Sequence, residues 1–395
     1  MRIALIADTF PPLRTSGAVQ LRDLTREFAR QGHSVCVLLP VSGQREPWML
    51  EEFDSVQVLR LNTPRTKDIG YVRRTLAELV MPFAMLQNLR KSPLAKECWD
   101  GVVWYSPSIF HGPLVWALKK SNRCKGYLIV RDIFPEWALD MGLMGRGLPY
   151  LFFRLIARYQ YSVADVIGVQ TPGNLSYFDH WEQQPGRKLD VLHNWLDKPA
   201  QVRCTIRVRE TSLAGRKVFL YTGNMGVAQG MDILLDLAAE LQNRTDIGFL
   251  FVGRGSEAIR LRFLAKDRKL DNIVFYDEIH PDEIPDLCYQ CSAGIVALDA
   301  KHKSHNIPGK FLSYMQNGLP VLANINAGND LAQMIRNERL GQVCESGELG
   351  ELLQLTLKLL AQIETDSDLS ARCSAFFGRK FAVDTAVDQI VLALS

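Results

Sequence analysis

The stretch HNIPGKFLSYMQNGLPVLA, His305 to Ala323, reads as an irregular loop, a short helix from Pro308 to about Asn317, a Gly-Leu-Pro turn and a buried strand. Pro308 suits a first helical turn, where its missing N–H would have no intrahelical partner. Gly309 lets another backbone, or a ligand, come close. The helix start offers unpaired N–H groups and a partial positive charge, with Lys310 beside them, and phosphate is the anion such a site fits best. The competing reading is a capped helix whose lysine points into water.

Two further turns offer the same chemistry. In TFPPLRTSGAVQ, Ser16-Gly17 falls at a helix start. In YTGNMGVAQGMDILL, a strand ends in Gly223-Asn224-Met225-Gly226, and Gln229-Gly230 opens the next helix, so the backbone can wrap an anion. Either turn is also simply a tight strand-to-helix connection. Neither is a dinucleotide fingerprint, since GxGxxG is absent. Arg254, in FVGRGSE, follows a strand and is either a phosphate contact or a surface arginine.

Carboxylates that could manage a proton stand in RDIFPEW. Asp132 and Glu136 follow a strand, with Pro135 fixing the bend, so Asp132 could take or orient an acceptor hydroxyl's proton. Otherwise Asp132 caps the turn and Glu136 the helix after it. His111 is either a base or the start of a helix before Gly112-Pro113. No Asp-x-Asp pair sits at a strand end, so no metal site is expected; Asp366-Ser367-Asp368 lies among the closing helices. Cys288 and Cys291 form CYQC with no second pair or histidine partner, against a redox or zinc role.

The elements that must hold these residues alternate. Strands at Ile3–Ala7, Ser34–Leu39, Val56–Leu61, Gly101–Tyr105, Gly126–Val130, Val166–Val169 and Leu189–Leu192 are interleaved with helical segments. Beyond Arg216 the pattern repeats, with strands at Val218–Tyr221, Ile247–Val252, Ile273–Phe275, Gly294–Ala297 and Pro320–Ala323. This predicts two α/β domains with doubly wound parallel sheets, Rossmann-like, facing a central cleft. The expected boundaries are 1–197, a linker at 198–216, 217–377, and a last helix at 378–395 packing back on the first domain.

Composition narrows the class. An apolar content of 47% with 23% charged residues is that of an ordinary globular protein, and a net charge of +3 argues against nucleic acid as partner. MRIALIADTF reads as a buried first strand rather than a signal peptide, and no apolar run is long enough to span a membrane, so a cytoplasmic location is expected. Two basic segments, Asp68–Arg90 with its flanks and Arg146–Arg158, carry apolar residues at helical spacing. They are either core-packing helices or a contact with the inner face of an anionic membrane, and their joint presence favours the membrane.

Taken together, YTGNMGVAQGMDILL, FVGRGSE, RDIFPE and PGKFLSYMQNGLPVLA resemble the family 4 retaining glycosyltransferases of the GT-B fold, over nearly the whole chain. The likeness is greatest to O-antigen and capsule transferases with DLWPE-like and GNMGxAQG-like motifs, L-fucosamine transferases among them. The resemblance implies a UDP-sugar donor, no cofactor, and a polyprenyl-diphosphate-linked saccharide acceptor. Donor-binding positions would be Gly17, Gly223, Asn224, Gly226, Gln229, Arg254, His305, Gly309, Lys310 and Ser313; acceptor-side positions would be His111, Asp132 and Glu136, with Asp132 and Lys310 catalytic. Two glutamates of the family pattern correspond here to His305 and Ser313, and an Arg and a Lys of the glycine-rich turn to Asn224 and Gln229. Those departures leave open a UDP-sugar 2-epimerase-like enzyme or a non-enzymatic assembly scaffold on the same fold.

Overall fold

Strand segments such as IALI and VVWY are apolar at every position because both their faces are covered, as buried parallel strands require. The computed structural model describes residues 1–13, 15–140, 142–199, 201–299 and 307–395, and these form two units: Met1–Asp197 with Val383–Ser395, and Lys198–Ala382.

Unit 1 runs β1 (Arg2–Ile6), α1 (Ser16–Arg30), β2 (Ser34–Val41), β3 (Trp48–Phe53), β4 (Val56–Asn62), α2 (Tyr71–Leu89), β5 (Gly101–Tyr105), α3 (Gly112–Asn122), β6 (Lys125–Val130), α4 (Glu136–Asp140), α5 (Leu148–Ser162), β7 (Val166–Val169), α6 (Asp179–Glu182) and β8 (Lys188–Val191). The sheet order is β3-β4-β2-β1-β5-β6-β7-β8. Every pairing is parallel except β3 with β4, where Trp48 lies opposite Leu61. β3 has no counterpart in the sequence reading, because WMLEEF mixes acids into a half-exposed edge strand. The direction of winding reverses between β1 and β5, so loops leaving their carboxyl ends flank a crevice where ligands of such sheets bind.

Unit 2 runs β9 (Lys217–Thr222), α7 (Asp232–Glu240), β10 (Ile247–Val252), α8 (Ala258–Asp267), β11 (Ile273–Tyr276), α9 (Ile284–Tyr289), β12 (Ala293–Ala297), α10 (Gly309–Gln316), β13 (Val321–Asn324), α11 (Asp330–Asn337), β14 (Gly341–Cys344), α12 (Leu349–Thr365) and α13 (Leu369–Lys380). Its order, β11-β10-β9-β12-β13-β14, is fully parallel and reverses between β9 and β12. The 198–216 segment, expected as a linker, packs into this unit: Cys204, Ile206, Val208 and Leu213 are buried. The closing helix α14 (Val383–Leu394) starts at Val383 rather than 378, since residues 378–380 end α13 and the buried Phe381 separates the two helices.

Alternating strand faces feed separate cores. In unit 1, Ile3, Leu5 and Val103 pack with Leu24 and Phe28 of α1 and Val387 and Ile390 of α14. Ala4, Ile6 and Trp104 face the other way, toward Met85 of α2, Leu114 and Leu118 of α3 and Ala157 of α5. In unit 2 one face buries Leu234, Leu261 and Leu352 from α7, α8 and α12. Phe311 of α10, Phe376 of α13 and Phe381 just after α13 form an edge-to-face trio, which holds the start of α10 in place.

Candidate functional site

The reversal point of unit 2 assembles the anion-binding features. β9 ends at Thr222, and Gly223 turns out of it with φ of 106°, a left-handed conformation that favours glycine. The Gly223 N–H donates to Val252 O and the Met225 N–H to Arg254 O at 2.7 Å, so the turn is zipped onto the loop that leaves β10. Gly253 and Gly255 permit this approach: a Cβ on either would collide with the Gly223 or Met225 carbonyl. Gln229 folds the turn back, its Oε1 accepting from the Gly226 N–H at 2.9 Å and from Asn224 Nδ2 at 3.1 Å. The Asn224 and Gln229 side chains are therefore engaged with each other, and what the turn presents outward is backbone.

Beside this turn stands α10. Its start is Gly309, with Pro308 as the extended N-cap rather than inside the first turn, and Pro308 offers no side-chain acceptor for the first amides. A Cβ on Gly223 would lie 3.8 Å from Lys310 Cε, which puts the lysine directly over the turn. Its Nζ sits 3.6 Å from the centroid of the Tyr221 ring. Lys310 is half-buried, and desolvation pulls its pKa down to about 7. An anion arriving here would restore the charge. Lys310 is thus partly withdrawn from solvent, against the Tyr221 ring.

Two tyrosines that the sequence reading passed over build this geometry. Tyr221 supplies the ring and donates its hydroxyl to Asn224 O at 2.5 Å, fixing the turn from below. Tyr314, fully buried on α10, accepts from the Thr222 N–H and donates to Leu220 O, both at 3.0 Å. It ties α10 to the end of β9, and Gly294 leaves room for its ring. Ser313 lies half-exposed with its hydroxyl directed at Gly309 O. Arg254 is 76% exposed and paired with Glu278 at 2.9 Å. His305 lies outside the described residues.

The reversal point of unit 1 gathers the proton-handling candidates. Thr15 caps α1, accepting from the Ala18 N–H, and a Cβ on Gly17 would touch Thr9 and the Tyr105 ring at 3.2–3.4 Å. His111 is the N-cap of α3 and fully buried, so the helix begins one residue after the expected start. Its N–H donates to Gln160 Oε1, while neither ring nitrogen has a hydrogen-bond partner. Burial pulls its pKa down to about 4, against the pull of the Asp8 charge. Asp132 has an exposed surface, yet crowding around its carboxyl raises its pKa, and Arg131 opposes that rise. Arg131 is itself fixed, donating to Leu192 O and His193 O with its guanidinium 4.6 Å from the Trp195 ring. Glu136 opens α4, half-buried, and desolvation raises its pKa as well. In both, burial disfavours the charged carboxylate.

The remaining polar features do not join either cluster. Burial pushes the Cys288 thiol up to about 12, which makes it a poor nucleophile or metal ligand. Asp366 is held by Arg372 at 2.5 Å. Among the described residues no three His, Cys, Asp or Glu side chains gather as a metal-holding group.

Comparison with known proteins agrees with this architecture. The two doubly wound parallel sheets define a GT-B fold of the α/β class. It is shared with sucrose-phosphate synthase of Thermosynechococcus elongatus (14% identity, TM-score 0.71, 99% of this chain and 97% of that one). It is also shared with HepE of Anabaena, solved with UDP and glucose (15% identity, TM-score 0.68, 100% and 99% covered). Residues 216–362, which contain the whole unit 2 site, match the model of the family described as Glycosyl transferases group 1. The chain is similar, at 24% identity over 277 residues, to the Escherichia coli (strain K12) protein named as a colanic acid biosynthesis glycosyl transferase, WcaI, covering 64% of this chain and 62% of that protein. It spans less than two thirds of the length of the curated relatives it matches.

Proposed function

We propose that this protein is a retaining glycosyltransferase of family 4 that moves a sugar from a UDP-sugar to a polyprenyl-diphosphate-linked saccharide in surface polysaccharide biosynthesis, O-antigen or capsule. N-acetyl-L-fucosamine is the sugar its motifs favour. The observation that carries this reading is Lys310 over the Gly223 turn at the uncapped start of α10. A cation, free backbone amides and a helix dipole converge there on a space that suits a diphosphate. Unit 2 takes the donor and unit 1 the acceptor.

In this mechanism the leaving diphosphate gathers negative charge as the bond to the sugar breaks, and Lys310 with the α10 amides meets it without reorganising. Attack comes from the face the leaving group vacates, and the departing phosphate accepts the proton of the incoming hydroxyl. Asp132 orients that hydroxyl from unit 1. The acceptor's lipid lies in a bilayer, so the enzyme works as a peripheral protein at the inner face of the cell membrane.

The test is incubation of the purified protein with candidate UDP-sugars, with and without a polyprenyl-diphosphate saccharide. Transfer requires both substrates. Epimerisation with donor alone would replace the reading with the 2-epimerase alternative, and no turnover in either mixture would favour a scaffold.

A further inference from the structure

The helix layers on the two faces of the unit 1 sheet are unlike. On the α1/α14 layer, α1 shows no exposed large apolar side chain among the described residues and α14 shows one, Leu392, while the arginines of α1 are paired: Arg22 with Asp23, Arg26 with Asp54 and Arg30 with Asp197. On the α2/α3/α5 layer, apolar side chains stand in water along all three helices. Tyr71 is 88% exposed, Leu76 59%, Leu148 83% and Leu155 67%, and Trp116 is half exposed between them. The three helices share one core beneath, so these side chains are the outer surface of a continuous layer.

The charge on that layer is mostly positive. Its helices carry six cations against one carboxylate, Glu78. Arg74 pairs with Glu78 and Lys119 with Asp165, while Arg73, Lys120, Arg154 and Arg158 meet no carboxylate within ion-pair distance among the described residues. Lys120 lies over the Trp116 ring at 4.7 Å, an arrangement in which the ring can enter an apolar phase while the ammonium stays at its boundary. Apolar surface on this scale marks an interaction face, and unpaired cations around it select an anionic one. No described helix is long and apolar enough to cross a membrane.

We propose that the outer face of α2, α3 and α5 docks on an anionic lipid surface. Topology adds an orientation. In a parallel sheet each helix starts at the carboxyl edge of the strand before it, so Tyr71 and Leu148 stand at the edge that holds Asp8, His111 and Asp132. Docking brings that edge to the headgroup level. This orientation rests on the acceptor-side reading of Asp132; the docking itself does not.

The experiment is flotation of the full chain with vesicles of phosphatidylcholine alone or in equimolar mixture with phosphatidylglycerol. The wild type should float with the mixed vesicles and be released in 1 M salt, where the screening length falls to about 3 Å. L76D/L148D/L155D should lose at least about tenfold in binding, because three exposed apolar contacts are removed. Circular dichroism and melting curves of the two proteins should coincide, which shows that unit 1 of the variant is folded. Equal flotation of wild type and variant, equal binding to neutral vesicles, or no binding to either overturns the proposal. So does a wild-type dimer by light scattering that becomes a monomer in the variant, which would make a second copy the occupant. Vesicle binding without sugar transfer keeps the docking face and removes the transferase reading instead.

Discussion

The ammonium of Lys310 lies 3.6 Å from the centroid of the Tyr221 ring, and the Tyr221 hydroxyl in turn holds the Gly223 turn through Asn224 O. The ring and the desolvated surroundings act in opposite directions on the charge: the quadrupole attracts the cation, and the loss of water lowers the pKa to about 7. A diphosphate bound beside it would tip the balance to the ammonium. Lys310→Met should therefore weaken UDP binding by roughly 10–100-fold at pH 7, the worth of one charge-assisted hydrogen bond of about 1.5–3 kcal/mol. Calorimetric titration checks it, and unchanged affinity removes Lys310 from the donor site.

The same residue fixes the sign of two pH effects. The folded-state pKa lies below the 10.5 of an unfolded lysine, so the unfolded chain binds more protons between pH 7 and 10.5. Lys310 thus costs its full stability penalty below about pH 7, and the penalty shrinks as pH rises toward 10.5. Denaturant midpoints of wild type and Lys310→Met should differ most at pH 6 and converge at alkaline pH. UDP affinity of the wild type should fall as pH rises above 7, and that slope should flatten in the variant. A pH-independent gap between the two proteins would contradict the lowered pKa.

Tyr314→Phe removes one oxygen and leaves the buried Thr222 N–H without its acceptor. An unpaired buried amide costs about 1–3 kcal/mol. Unit 2 should melt several degrees lower, since 1 kcal/mol moves Tm by about 2–4 °C in a domain of this size. UDP affinity should fall with it, because the tether between α10 and β9 sets where Lys310 stands. Calorimetric melting beside UDP titration separates the two effects. A lowered Tm with full affinity would make Tyr314 a core residue only.

Much of the fold was legible because its strands are buried on both faces and so read as unbroken apolar runs, as IGFLFV does in β10. β3 was not, since an edge strand with Glu51 and Glu52 lacks that signature. The packing of 198–216 did leave a trace: Cys204, Ile206 and Val208 alternate with polar neighbours, a period-two signal in a stretch that otherwise reads as linker. For the site, the glycine turn and Lys310 were readable from local chemistry. Tyr314 was not, because its contribution depends on a contact with Thr222, 92 residues away in sequence, and Tyr221 was not, because its ring meets Lys310 only in the folded chain. The mutual engagement of Asn224 and Gln229 and the full burial of His111 likewise belong to tertiary packing.

Two glycines that look alike in sequence should respond differently to alanine. At Gly253 the new methyl would collide with the Gly223 carbonyl, a backbone atom that cannot turn aside, so Gly253→Ala should cost about 4 kcal/mol or more. At Gly223 the Cβ would meet nothing closer than Lys310 Cε at 3.8 Å, and the cost is the φ of 106°, about 1–3 kcal/mol. Gly223→Ala should remain folded and bind UDP less tightly, because the turn's amides shift. Urea unfolding of both variants decides between them; equal losses would mean that the two loops are not packed as closely as described.

His111 provides the last test, because its burial and a catalytic role predict different pH behaviour. Burial lowers its pKa from 6.5 to about 4, so the imidazole is neutral across pH 5–8. As pH falls from 6.5 toward 4, the unfolded chain takes up a proton that the folded chain refuses, and stability is lost through that window. His111→Asn should remove that part of the slope while keeping a polar N-cap for α3. The pH profile of transfer should show no ionisation near 6.5 in the wild type. A limb near 6.5 that disappears in His111→Asn would instead show an accessible base, with the ring free to meet solvent and substrate. Urea midpoints and rates measured on the two proteins from pH 4.5 to 8 answer both questions.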